Sequence, residues 1–175
     1  MRKSSYAVGL LVILFLMFSA GAQIVPRVPT PKIELVSMGQ STTGVDATGQ
    51  PYYEIALKVT NWKSFDPTLF DRSPELPACG ATINAPRTWV AILGNTGPKD
   101  SVLKQIGANC DIFNPEGLQK IAFNVEHDKI PTGVVIALSD RKTGKVHYSN
   151  CLELRTGKTC LFMGTTPPLV VIPTK

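Results

Sequence analysis

The stretch Thr132 to Leu154, TGVVIALSDRKTGKVHYSNCLEL, constrains the fold more than any other part of the chain. An apolar run from Val134 to Leu138 enters a polar turn, Asp140 to Gly144. The chain leaves that turn with Val146, Tyr148, Leu152 and Leu154 separated by polar residues. Successive side chains of a strand point to opposite faces, so alternation of this kind marks a strand with one buried face. Two such runs around a short glycine-containing turn predict a β-hairpin.

The same pattern recurs along the chain. Tyr53, Ile55, Leu57 and Val59 alternate with Glu54, Lys58 and Thr60, which predicts a half-buried strand over 52–60. Lys32 to Met38 is expected as a first strand, and Gly39 to Pro51, rich in glycine and threonine, as a long turn. Arg87 to Leu93 (RTWVAIL) is expected as a short buried strand, with Trp89 as a core residue, followed by a turn over 94–99. Val102 to Phe113 is expected as a hairpin bending at Gly107, with Cys110 in its second strand. Leu118 to Val125 supplies another strand. Thr159 to Met163 adds a further one after a turn over 155–158, and Leu169 to Ile172 is an edge strand or docked tail. No amphipathic helical period exceeds two turns. Short strands at near-regular spacing with Gly, Pro, Asn and Asp turns predict an all-β, antiparallel sandwich of about 7–9 strands.

The chain has 175 residues, enough for one domain with a substantial core. Arg2 and Lys3, the apolar run Val8 to Phe18 and Ala20-Gly21-Ala22 together predict a secretory signal peptide over 1–22, cut after Ala22. That apolar run is short of the roughly 20 residues a spanning helix needs. No later segment is apolar enough to span, so no membrane span is expected after cleavage. A proline-rich leader over 23–31 precedes the sandwich domain over 32–163, and a proline-rich tail or edge strand over 164–175 follows it. Removing Arg2 and Lys3 from the 18 basic residues leaves 16 against 13 acids, a net charge near +3. The basic residues are scattered singly without interleaved aromatics, so nucleic acid is not an expected partner.

Four cysteines, Cys79, Cys110, Cys151 and Cys160, in a secreted chain predict two disulfides. No C-x-x-C pair offers the spacing of a zinc site. Of the three possible pairings, Cys79–Cys110 with Cys151–Cys160 is expected, each linking neighbouring strands. No cofactor or metal is expected. The chain has only two histidines. His127, between Glu126 and Asp128, is expected to be solvated, and His147 is expected on the exposed face of the alternating strand. No G-x-S-x-G, H-E-x-x-H, P-loop, Rossmann or EF-hand pattern occurs, so the chain is not expected to be an enzyme.

The irregular stretch Asn61 to Ala78 (NWKSFDPTLFDRSPELPA) has three prolines and three large aromatics without a sustained period. Its aromatics could fold back as a cluster capping the sandwich. As a binding loop, it would use Trp62, Phe65 and Phe70 as anchors with Arg72 as a polar partner, residue types favoured at interface hot spots. The partner would be a protein or another envelope macromolecule. A structural subunit joined to a surface assembly through its edge strands is the alternative, and a protease inhibitor or a hydrolase a more distant one.

Val59-Thr60-Asn61-Trp62, Leu76-Pro77-Ala78-Cys79-Gly80, the Trp89 strand, and Ser139-Asp140-Arg141 ahead of Tyr148-Ser149-Asn150 resemble fibronectin type III/immunoglobulin-like domains of secreted bacterial proteins. The likeness covers about residues 32–154 and implies the sandwich fold. It implies no catalytic residue, and a fold of this kind hosts many unrelated roles.

Overall fold

A computed structural model describes residues 28–79, 83–95 and 103–160. The expected signal peptide, most of the leader and the 164–175 tail with its Leu169–Ile172 run lie outside the described residues. Among the described residues nine strands form two antiparallel sheets: β1 (Ile33–Val45), β2 (Pro51–Val59), β3 (Thr88–Asn95), β4 (Lys104–Asn109), β5 (Ile121–Val125), β6 (Gly133–Asp140), β7 (Val146–Tyr148), β8 (Cys151–Glu153) and β9 (Thr159–Cys160). One sheet has the order β1-β2-β5; the other runs β4-β3-β6-β8-β9, with β7 also on β6. The described residues contain four 3-10 turns and no α-helix. The predicted sandwich is the observed fold.

The main core lies between the sheets. Ile55, Leu57 and Val59 of β2 and Ile121, Phe123 and Val125 of β5 face Val90 and Ile92 of β3 and Val134, Ile136 and Leu138 of β6. β5 shows the period-two pattern directly: its odd-numbered residues are buried and Ala122 and Asn124 are exposed. β6, by contrast, is buried at all eight positions. Its second face is covered by another cluster, in which Trp89, Ala91, Leu93, Val135 and Ala137 pack with Cys79, Ala85 and Leu103. A central strand buried on both faces reads as a continuous apolar run, which is what Val134 to Leu138 is. Trp89 is a core residue, but of this outer cluster.

Three segments depart from expectation. β1 does not stop at Met38; it runs on to Val45, pairing Gly39 with Glu54 and Gln40 with Tyr53, with a further irregularity before Val45 meets Pro51. The turn is thereby shortened to the residues around Asp46, whose carboxylate accepts from the N–H groups of Thr48 and Gln50. Pairing to the strongly patterned β2 outweighs the low strand preference of the glycines. Gly107 does not bend a hairpin. It lies within β4 opposite Ile92, where a side chain would make ordinary contacts with Ile92 at 3.4 Å and Phe123 at 3.5 Å. Leu118 belongs to the 3-10 turn Pro115–Gln119 ahead of β5, with its side chain fully buried.

A further departure concerns the stretch after the hairpin turn, where Val146 to Leu154 is two strands and not one. Tyr148 pairs with Ala137 and His147 with Leu138, whereas Leu152 pairs with Val134, a register shifted by one residue. A one-residue slip moves every following side chain to the other face. Val146 and Tyr148 therefore pack on the outer cluster, while Leu152 and Leu154 enter the inter-sheet core. Ser149 bridges the break: its N–H donates to the Ile136 carbonyl at 2.8 Å and its hydroxyl accepts from Ile136 N–H at 2.9 Å.

Both disulfides pair as expected, Cys79 with Cys110 and Cys151 with Cys160. Cys110 follows β4 instead of lying in a second hairpin strand. Cys151 and Cys160 are direct partners across β8 and β9.

Candidate functional site

The stretch 61–78 folds onto the sandwich. Trp62–Ser64 and Pro67–Phe70 are 3-10 turns, the second capped by Asp66, whose carboxylate accepts from Thr68 N–H at 2.9 Å. Phe65 and Phe70 are buried in the main core, Phe70 without any exposed surface, and Trp62 packs half-buried against the same core. Two of the three expected aromatic anchors are thus core residues, which corrects the binding-loop expectation: burying large aromatic surfaces is worth more here than presenting them. Arg72 is exposed, and its guanidinium stacks on the Phe113 ring at 4.4 Å. The structure does not bring Trp62, Phe65, Phe70 and Arg72 to one accessible surface.

Two arginines hold this region down. Arg87, just ahead of β3, donates to both oxygens of Asp140 at the end of β6, at 2.8 and 2.6 Å. The same carboxylate accepts from Lys142 N–H and the Thr143 hydroxyl within the hairpin turn. Burial alone would raise the Asp140 pKa, but the Arg87, Thr143 and Lys142 hydrogen bonds outweigh it and lower it to about 2. Arg141 points its guanidinium the other way, donating to the carbonyls of Pro86 and Pro77. Asp140 and Arg141 therefore both clamp the long connection that leads from β2 into β3.

Beneath the Phe65–Phe70 segment lies a cavity of about 10 Å³, lined by Val28, Phe65, Leu69, Phe70, Thr88, Leu138, Asp140 and His147. His147 reaches it through the register shift described above, which puts its side chain on the core side of β7, beside Leu138. This corrects the expectation of an exposed His147: the residue is half-buried, and its Nε2 is buried without a hydrogen-bond partner. Burial, reinforced by Lys145 and only partly opposed by Asp140, pushes the imidazole below its ordinary range. The Thr88 hydroxyl donates to the Leu69 carbonyl at 2.6 Å. His127, in contrast, is exposed, as expected, and its ring meets Tyr53 edge-on at 6.0 Å.

Among the described residues no group of three or more His, Cys, Asp or Glu side chains is placed to hold a metal ion, and no helix is long and apolar enough to cross a membrane. Three of the four exposed large apolar side chains among the described residues lie elsewhere, on β1: Val36 is 50% exposed, Met38 37% and Val45 57%. Ile83, on the connection between Cys79 and β3, is 77% exposed. None of these four was singled out in the sequence, although the alternation of Val36 and Met38 with polar neighbours was visible there. Neither a family model, nor a curated protein, nor a solved structure matches the chain.

Proposed function

We propose that the chain is a secreted, disulfide-stabilised β-sandwich that acts as an interaction module and docks a protein of the envelope or the surrounding medium along β1. One observation carries this reading: three of the four large apolar side chains exposed among the described residues, Val36, Met38 and Val45, lie on that strand at the edge of its sheet. Edge strands offer unpaired backbone groups to a partner, and exposed apolar residues beside them supply contact area. Two disulfides support an oxidising compartment and therefore secretion. A kinship with fibronectin type III/immunoglobulin-like domains belongs to the same proposal. The reading includes no catalytic step, in keeping with a Thr88 hydroxyl already engaged by Leu69.

A structural subunit of a surface assembly would use the same strand, and stoichiometry separates the two: a defined complex for a binding module, an extended polymer for a subunit. The test places a photo-crosslinking residue at position 36 and compares the wild-type background with Met38→Ser/Val45→Ser in the native envelope and medium. Adducts that disappear in the double variant at unchanged melting temperature support the reading. Adducts that persist move the interface away from β1, with Ile83 the next position to probe.

A further inference from the structure

We propose that His147 is a proton-operated latch: taking up a proton, it releases the segment 65–70 from the sandwich and bares Phe65 and Phe70. This goes beyond docking along β1 and does not depend on it.

The geometry of the cavity carries the argument. The neutral imidazole is tolerated there because Val28, Phe65, Leu69, Phe70 and Leu138 make most of the wall. Protonation turns both ring nitrogens into donors. A charged donor at Nε2 would face mostly apolar groups, with the Thr88 hydroxyl as the single uncharged polar group of the lining and its proton already given to the Leu69 carbonyl, and a buried charge so poorly paired is costly. Among the described residues, Asp140 is the only carboxylate lining the cavity. Its two oxygens are already taken by Arg87, Lys142 N–H and the Thr143 hydroxyl. The other charges nearby offer no relief. Lys145, in the turn before β7, repels the imidazolium. Asp66, on the covering segment, interacts with Arg87. Val28, on the remaining wall, carries no charge.

The way out is through the covering segment and not through the sheet. His147 sits on a three-residue strand bonded to β6, whereas 65–70 is an irregular segment ending in the 3-10 turn Pro67–Phe70, hydrogen-bonded to β3 by Thr88 to the Leu69 carbonyl, with Arg87 N–H on the Asp71 carbonyl just beyond it. Segments with few ladder bonds open locally at lower cost than sheet strands. Opening lets water reach Nε2 and exposes the two phenylalanines, giving the protein an apolar surface in acid that it lacks at neutral pH.

The test uses the full, oxidised chain, wild type and His147→Gln, from about pH 8 to about pH 5. NMR follows the His147 imidazole, and amide hydrogen exchange follows 65–70 against β3 and β6. In the wild type, His147 should titrate below the ordinary histidine range. Exchange over 65–70, corrected for its intrinsic pH dependence, should rise about tenfold per pH unit through that titration while the sheet amides hold. His147→Gln, which keeps the size and polarity but cannot titrate, should leave 65–70 equally protected throughout. The proposal is overturned if His147 titrates with the segment still protected, or if the Gln variant opens like the wild type. Should the variant not fold, the wild-type comparison decides alone: an opening midpoint that does not track the His147 titration rejects the latch.

Discussion

The side chain of Asn150 holds Ile33 across 117 residues of sequence, its Oδ1 accepting from Ile33 N–H at 2.8 Å and its Nδ2 donating to the Ile33 carbonyl at 3.3 Å. A single amide thus imitates the strand that β1 would otherwise need on that side, and it joins one sheet to the start of β8 in the other. Asn150→Ala leaves both backbone groups of Ile33 without this partner. The expected loss is about 1–3 kcal/mol, since unsatisfied buried groups cost more than a satisfied bond contributes. Urea unfolding measures it, and an unchanged midpoint would show that water replaces the amide without cost.

The two readings of the 61–78 stretch part at Phe70. It is fully buried beside Phe65, so Phe70→Ala should cost about 3–5 kcal/mol through lost burial and the cavity left behind. Arg72→Ala removes one exposed stacking contact with Phe113 and should change stability by about 1 kcal/mol or less. Thermal unfolding of both variants checks the contrast. A Phe70→Ala protein as stable as the wild type would return this loop to the binding surfaces.

What the sequence made legible was periodicity, and what it hid was the interruption of periodicity. The strand 51–59, the odd-numbered burial of β5 and the turn at Gly144, which takes φ of 70°, follow directly from residue type and spacing. Ser149-Asn150 fits an alternating strand equally well, so nothing in the letters marks the one-residue slip there. Yet that slip alone decides whether His147 faces water or the core. Gly107 and Gly39 failed in the same way: glycine signals a bend, and only pairing with a neighbouring strand carries the chain straight through. Phe65 and Phe70 are apolar whether they meet a partner or their own core, and the core is assembled from strands far away in the sequence.

Asp140 makes stability depend on acid. Its pKa in the folded protein, about 2, lies below the ordinary 3.8, so the folded state favours the carboxylate. The resulting stabilisation, about 2 kcal/mol, is fully present above the unfolded value and is lost as pH falls through 3.8 towards 2. Asp140→Asn should therefore be less stable than the wild type at neutral pH, with the gap narrowing towards pH 2. A gap that stays constant with pH would assign its origin to packing or to the hairpin turn, and not to the Arg87 ion pair.

The two disulfides differ in what they constrain. Cys79 and Cys110 are 31 residues apart, and their bond fastens the long connection before β3 to the end of β4, beside Trp89 in the outer cluster. Cys151 and Cys160 are 9 apart and already paired across two adjacent strands. Restricting the unfolded chain stabilises more for the longer loop, about 3–4 kcal/mol against about 2–3 for the shorter. Replacing each pair by alanines should thus lower stability more for Cys79→Ala/Cys110→Ala, and the deficit should deepen because the outer cluster loses its fastening. Cys151→Ala/Cys160→Ala should keep β8 on β6, because Glu153 pairs with Gly133 and Leu152 with Val134 independently of the sulfurs. Guanidinium unfolding of the two double variants in a Trp62→Phe background, where tryptophan fluorescence reports on Trp89 alone, tests both claims. A larger loss from the shorter loop would mean that the β8–β9 hairpin, and not the outer cluster, is the weaker part of this sandwich.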